Sequence, residues 1–534
     1  MGLTRGNFRR GAALVAVVAA SMLCLSAPAG AQSSGSTIKL VPQADLRSID
    51  PIWTTAYITR NYGYMVYDTL LATDEHFKVQ PQMVETWTVS EDGLVYTFTL
   101  RPGLKWHDGA PVTAADCIAS LDRWMKRDVL GQALPGVIGE MKAVDAASFT
   151  ITLKKPFALF LDALAKISSN TPFMMPERVA KTDANTQIKE SIGSGPFKFA
   201  ASEWVPGSKA VFVKNTDYVP RKEPASWAAG GKVVKVDRVE WQTIPDSQTA
   251  ANALNAGEVD WWELVPQDLA PLLAKNKDVT VTTTDPLGNM GVLRFNHELP
   301  PFNNVKMRQA VQMLVDQKNY MTAVAGDQKY WKACYSFFPC GTPMSSDAGS
   351  EALSGPRDLE KAKALVKEAG YAGEPVVVMA ATDQPIVYAQ ALVTIDILKQ
   401  LGINADLQAM DWGTLITRRA SHEPIDKGGW NIFFTWSAAP DLLNPAVHSQ
   451  LRGNGAKAWF GWPTDAKIEA LRDQWFEAPS LAAQQKIAAE IQAEAFQAVP
   501  HIHTGQFVIP TAFRNSLKGV IVAPVLFMWN VEKG

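Results

Sequence analysis

Histidine and cysteine are scarce in this chain, with seven and four among 534 residues. Metal chemistry has little to build on. Only His501 and His503 lie close together, and in a strand both would face one side. Two ligands are too few for a zinc site, so that pair is expected to be structural, and no metal or cofactor is expected. The chain also lacks a Gly-x-Ser-x-Gly elbow, a Gly-x-x-x-x-Gly-Lys-Ser/Thr phosphate loop and a His-Glu-x-x-His helix. An excess of one charge is missing too: 51 Lys and Arg stand against 53 Asp and Glu. Nucleic-acid binders carry a basic patch or stripe, so nucleic acid is not an expected partner. After the first residues no apolar run is long enough to span a bilayer.

What is present is an ordinary globular composition, 47% hydrophobic and 19% charged, long enough for large cores in more than one domain. The first residues read as an export signal. Arg5, Arg9 and Arg10 precede the apolar stretch GAALVAVVAASMLCLSA, and Ala29-Gly30-Ala31 supplies a small-x-small site. Residues 1–31 are therefore expected to be removed after Ala31, leaving an exported, soluble chain. Of the remaining cysteines, Cys334 and Cys340 in CYSFFPC are expected to form a disulfide, the alternative being two free thiols. Cys117 reads as a buried thiol.

The stretch GLKWHDGAPVTAADC (103–117) places a histidine beside an aspartate, which raises an acid–base reading. Its surroundings favour a frame. LVYTFTL alternates as a half-buried strand, Arg101-Pro102-Gly103 and Asp108-Gly109 are turns, and Thr113 followed by Asp116 is a helix start. Asp108 is then needed for turn geometry. Further along, 305–320 reads as one amphipathic helix and 358–371 as a helix stopped at Gly370. EPVVVMAA, a helix over 387–402 and INADLQAMD follow as strand, helix, strand, which predicts α/β units. Residues 465–498 read as helical, and HIHTGQFVIPTAF as strand. Acid pairs such as Asp260 with Glu263 read as solvated faces.

One block is specific: YDTLLATDEHFKVQPQMVETWTVSEDGLVYTFTLRPGLKWHDGAPVTAAD (67–116). GSGPFKF, NTDYV, AGEVDWW, PFNNVKMRQAVQMLVD and AKALVKEAGY follow in order. Together they resemble the extracellular solute-binding proteins of ABC importers, family 5, which include oligopeptide- and dipeptide-binding proteins. The resemblance implies a non-enzymatic, monomeric periplasmic protein with the two-lobed α/β periplasmic-binding-protein fold. That class has an extra subdomain in the N-terminal lobe and captures ligand in a cleft between the lobes. The implied layout is a first lobe over 32–286, with 73–192 as the inserted subdomain, a second lobe over 287–504, and a return of 505–534 to the first. Implied partners are a small-molecule or peptide ligand and the membrane permease subunits of an ABC transporter.

For the ligand site, MDWGTLITRRASHEPIDKGGWNIFFTWSAAPDLLNP (410–445) resembles the family's peptide-contacting segment. Trp412, Arg419 and Trp436 match cleft residues there; the alternative, with a third tryptophan, Trp430, in the same window, is that Trp412 and Trp436 are core residues. Peptide-binding members carry an amine-holding aspartate three residues beyond the second tryptophan; here that position is Ala439. Asp441 either takes its place or caps a turn. Tyr57 and Asn296 are further candidates, and of the adjacent Trp261 and Trp262 at most one is expected to reach the cleft. The expected ligand is a short peptide or peptide-like solute with an anionic group. A secreted hydrolase on the same scaffold and a non-transport sensor or chaperone are the competing readings.

Overall fold

Two sheets hold most of the core, and two short crossings join them. The computed structural model describes residues 36–285 and 287–534, so the expected export signal and its cleavage point at Ala31 lie outside the described residues. The first sheet has the order Val279–Thr283, Pro510–Arg514, Trp261–Trp262, Thr37–Val41, Arg238–Gln242, Lys209–Lys214, Phe197–Phe199. The second runs Trp331–Lys332, His501–Phe507, Asn289–Phe295, Ile432–Ala438, Val376–Ala381, Ala405–Met410. A four-stranded antiparallel sheet of Val84–Val89, Val95–Leu100, Ser148–Leu153 and Ile138–Ala143 lies within the segment 73–192. The chain leaves the first sheet through residues 284–288 and returns through Val508 and Ile509. The return lies past residue 504, because Gly505, Gln506 and Phe507 still pair with Gly291, Met290 and Asn289.

Local chemistry sets the element boundaries. Val376–Ala381 is buried throughout, with parallel pairing to Ala405–Met410 along its length and to Ile432 at Val378, so it reads as an unbroken apolar run. Asp358, Asp465 and Ser480 each cap a helix through a side-chain oxygen, and Gly370 leaves its helix at φ 77°. The single helix expected over 305–320 is two, Val305–Leu314 and Gln317–Ala325. Val315 is extended and Asp316 accepts the Lys318 N–H as a fresh N-cap, a signal outweighed in the sequence by continuous apolar periodicity.

The His107 segment is a frame. Thr113 and Asp116 form a reciprocal capping box, and Asp108 accepts the Ala110 N–H. His107 Nδ1 accepts from the Gly193 N–H at 3.4 Å while Nε2 lies 3.2 Å from the Gly195 carbonyl, so the neutral ring bridges the two glycines. Burial holds its pKa down at about 4. A Cβ at Gly193 would sit 1.9 Å from the Val66 carbonyl oxygen, which explains a glycine there. Asp260 and Glu263 are not a solvated pair. Both are buried, accepting the backbone N–H groups of Lys39 and Gln43.

Cys334 and Cys340 are joined, with Cα atoms 5.8 Å apart, and Cys117 is a free, buried thiol. Their loop puts Phe337 against His501 and His503 at 4.9 and 4.7 Å. Both histidines are buried, and among the described residues no cluster of three or more His, Cys, Asp or Glu could hold a metal ion.

Candidate ligand-binding site

Between the two lobes lie two chambers joined by a narrow neck. The neck, about 40 Å³, is lined by Thr55, Tyr57, Trp412, Arg419, Trp436 and Asp441 among others. An adjoining space of about 60 Å³ shares Gln43, Tyr57 and Trp436 with it and adds Arg60, Glu263 and Asp285. Each holds only a few water molecules. Five of the six expected ligand residues therefore meet at one place, although Tyr57 and Asp441 are 384 positions apart.

Arg419 follows directly on the helix Trp412–Arg418, whose N-cap Asp411 accepts the Thr414 N–H. Its guanidinium is packed among rings, 4.5 Å from the centre of Phe460, 5.5 Å from Trp459 and 5.8 Å from both Trp412 and Phe433. Only 2% of the residue is exposed, and burial pushes its pKa down to about 9. It still carries its charge at neutral pH. An arginine has five N–H donors, yet among the described residues this one gives a single 3.4 Å contact to the Thr55 hydroxyl, and its Nε has no acceptor. Among the described residues it has no ion pair. The equally buried Arg294 is the useful contrast: it donates to the carbonyls of Phe460, Gln450, Pro500 and Trp459.

Asp441 is buried in the same neck. One oxygen accepts from the Tyr57 hydroxyl at 2.5 Å and from Ser168 at 3.0 Å; the other has no partner among the described residues. Burial raises its pKa, and Lys166, Tyr57 and Arg60 pull it back. Tyr57 also accepts the Ala438 N–H at 2.8 Å, so one first-lobe hydroxyl ties two points of the second lobe. Ala439 is buried and donates its N–H to the Gly288 carbonyl in the first crossing. Trp412 and Trp436 are half-buried, and Trp436 lies 5.1 Å from the Tyr57 ring.

Asn296 is not part of the neck. It is fully buried and donates to the Trp430 carbonyl, fixing the start of the loop after its strand. Trp430 is likewise core. Trp261 and Trp262 both reach cavities, on opposite sides of the sheet, because two different spaces flank their strand. Thr55, Ser168, Trp459, Arg60 and Glu263 complete the surroundings. No local motif marks them, since each gains its place through contacts hundreds of residues distant.

The model of the bacterial extracellular solute-binding proteins, family 5, matches residues 78–458. A probable peptide ABC transporter periplasmic-binding protein of Sinorhizobium fredii is 38% identical over 98% of this chain and 98% of its own length. A glutathione-binding protein of Salmonella typhi is 30% identical over 76% of this chain and 77% of its length. Among solved structures, the murein tripeptide binding protein of Escherichia coli superposes with a TM-score of 0.77 at 20% identity, covering 94% of this chain and 99% of that one. That likeness establishes the fold: two α/β lobes with a cleft between them. This chain belongs to the bacterial extracellular solute-binding proteins of family 5.

Proposed function

We propose that this protein captures a short peptide or peptide-like solute with an anionic group and delivers it to the membrane permease of an ABC transporter. The observation that carries this reading is Arg419, a charged guanidinium enclosed between the lobes with an unpartnered N–H and, among the described residues, no carboxylate of its own. A buried cation left like this is unfavourable, and a solute carboxylate would complete it with charge-assisted hydrogen bonds. Trp412 and Trp436 supply flat apolar walls, and the free oxygen of Asp441 accepts an N–H or ammonium of the solute. Relatives whose names record peptide and glutathione binding support the ligand class.

In this reading the protein binds without chemical turnover, acts as a monomer and works in the periplasm after cleavage at Ala31. It is organised as a first lobe over 32–286, a second over 287–507 and a returning segment 508–534, with 73–192 as a subdomain. Mass spectrometry of small molecules released on denaturing the purified protein tests the assignment, followed by calorimetry with the compound identified. A neutral, non-peptidic compound bound at micromolar affinity would refute it.

A further inference from the structure

The two chambers flanking the Arg419 neck differ in charge. One, of about 550 Å³, adjoins the neck at Gln43, Gln384 and Trp436. Among the described residues its ionisable lining, apart from the Tyr330 phenol, is Asp45, Asp268, Asp327 and Asp383, with no lysine, arginine or histidine. The other, of about 1040 Å³, adjoins the neck at Thr55, Ser169, Ser449 and Trp459. Among the described residues Lys126, Arg127, Arg452, Lys457 and His422 line it against the single acid Asp183, and Trp53, Trp459 and Trp462 give it flat walls.

Pairing trims the contrast without removing it. Asp45 is paired with Arg47, and Asp327 with Lys329. Lys126 is paired with Asp122, Arg452 with Glu469, and His422 with Glu298. Among the described residues, Asp268 and Asp383 on one side have no ion pair, nor do Arg127 and Lys457 on the other. Asp383 accepts the Trp412 N–H; Arg127 donates to Asn185 and to the Trp53 carbonyl. Each chamber takes residues from both lobes, so both form only when the lobes are together. Low-dielectric walls concentrate such fields, and the neck is too narrow to hold more than a thin part of a ligand.

We infer that the cleft selects an elongated, bipolar solute in one orientation, its cationic end in the aspartate-lined chamber and its acidic end past Arg419 in the basic, tryptophan-walled one. For a peptide this means a basic N-terminal and an acidic C-terminal residue. The inference rests on the peptide reading proposed above and adds the order of charges along the ligand.

The test uses three tripeptides, Lys-Ala-Glu, Glu-Ala-Lys and Ala-Ala-Ala, titrated calorimetrically into the full exported chain. Lys-Ala-Glu is expected to bind at least tenfold more tightly than Glu-Ala-Lys. Lys457→Glu and Asp268→Lys change exposed residues, and each should narrow that ratio severalfold while leaving the melting temperature unchanged. Equal affinities for the two charged peptides, or the reverse preference, overturn the orientation while leaving the peptide reading intact. A ratio that neither variant alters also overturns it, because the preference would then arise elsewhere. Binding by none of the three sinks the peptide reading, and the orientation with it.

Discussion

Arg419 and Arg294 are the same residue in similar burial with opposite uses. Arg294 satisfies four backbone carbonyls, so Arg294→Met should lower unfolding stability by at least about 2 kcal/mol, because buried acceptors lose their donors. Arg419→Ala should instead weaken solute binding tenfold to a hundredfold, about 1.5–3 kcal/mol, with a melting temperature close to wild type. Lysine should not rescue it, since one ammonium cannot reproduce a planar fork. Trp412→Ala and Trp436→Ala should weaken binding without unfolding, both being half-buried. Loss of melting temperature with unchanged affinity per folded molecule would make them core residues. The buried histidines carry a different residue-scale consequence. His448 and His503 are held down at about 3 by burial, and neither ring nitrogen of His503 has a partner among the described residues. The unfolded chain takes up these protons from about pH 6.5 downward, so the unfolded state binds more protons between about 6.5 and 3. Stability contributed by the neutral rings is therefore present above that window and lost as pH falls through it. Glu263 and Asp441, raised by burial, act the opposite way, so the comparison must be with a variant. His503→Phe, packed against Phe337 and Phe496, should flatten the decline of melting temperature between pH 6.5 and 4. An unaltered slope would remove His503 from the acid response.

At the scale of elements, the disulfide closes a loop whose ends are six positions apart. Such a short loop gains little from cross-linking, about 2 kcal/mol. Hydrogen bonds also hold it without the bridge: Cys334 N–H to Gln317, Phe337 N–H to Gln492 and Cys340 N–H to Gln506. The double variant Cys334→Ser, Cys340→Ser should fold and bind, losing about that amount in urea unfolding. Thiol labelling of the denatured, unreduced chain from Gln32 onward should find Cys117 alone. Elements were the legible level of this sequence wherever a cap or an unbroken apolar run marked them, as at Asp358, Gly370 and Val376–Ala381. The break at Asp316 was hidden because apolar periodicity continues across it. In the site, Trp412, Arg419 and Trp436 were readable because they share one segment with a specific spacing. Thr55, Ser168, Trp459 and Glu263 were not, since tertiary closure alone brings them to the neck. Asn296 failed for a related reason: its place directly after the first strand of the second lobe leaves open whether its side chain turns to the cleft or to the Trp430 carbonyl.

For the whole molecule, the decisive feature is that covalent connection between the lobes is confined to residues 284–288 and 508–509, while many contacts cross the cleft. Tyr57 meets Asp441 and Ala438; Trp459 donates to Thr55; Gln384 donates to the Gln43 carbonyl; Arg452 and Arg472 reach the Val129 carbonyl. Several of these are single polar contacts that water can replace, so they bias the lobes together weakly. Arg419, to which the first lobe offers only the Thr55 hydroxyl among the described residues, opposes them through its unsatisfied charge. The free protein should therefore exchange between this closed form and more open ones by bending at the two crossings. A solute that completes Arg419 binds the closed form better and shifts the population toward it. Small-angle scattering should show a smaller radius of gyration at saturation than in the free protein. The same solute at a hundredfold excess over its dissociation constant should add about 2.7 kcal/mol to apparent stability. Arg419→Met removes the opposing charge while keeping an apolar chain of similar reach. It should compact the free protein partway toward the bound profile and leave little further change on adding solute. If wild-type scattering is identical with and without solute, and Arg419→Met matches both, the lobes are rigidly closed and the crossings are not hinges.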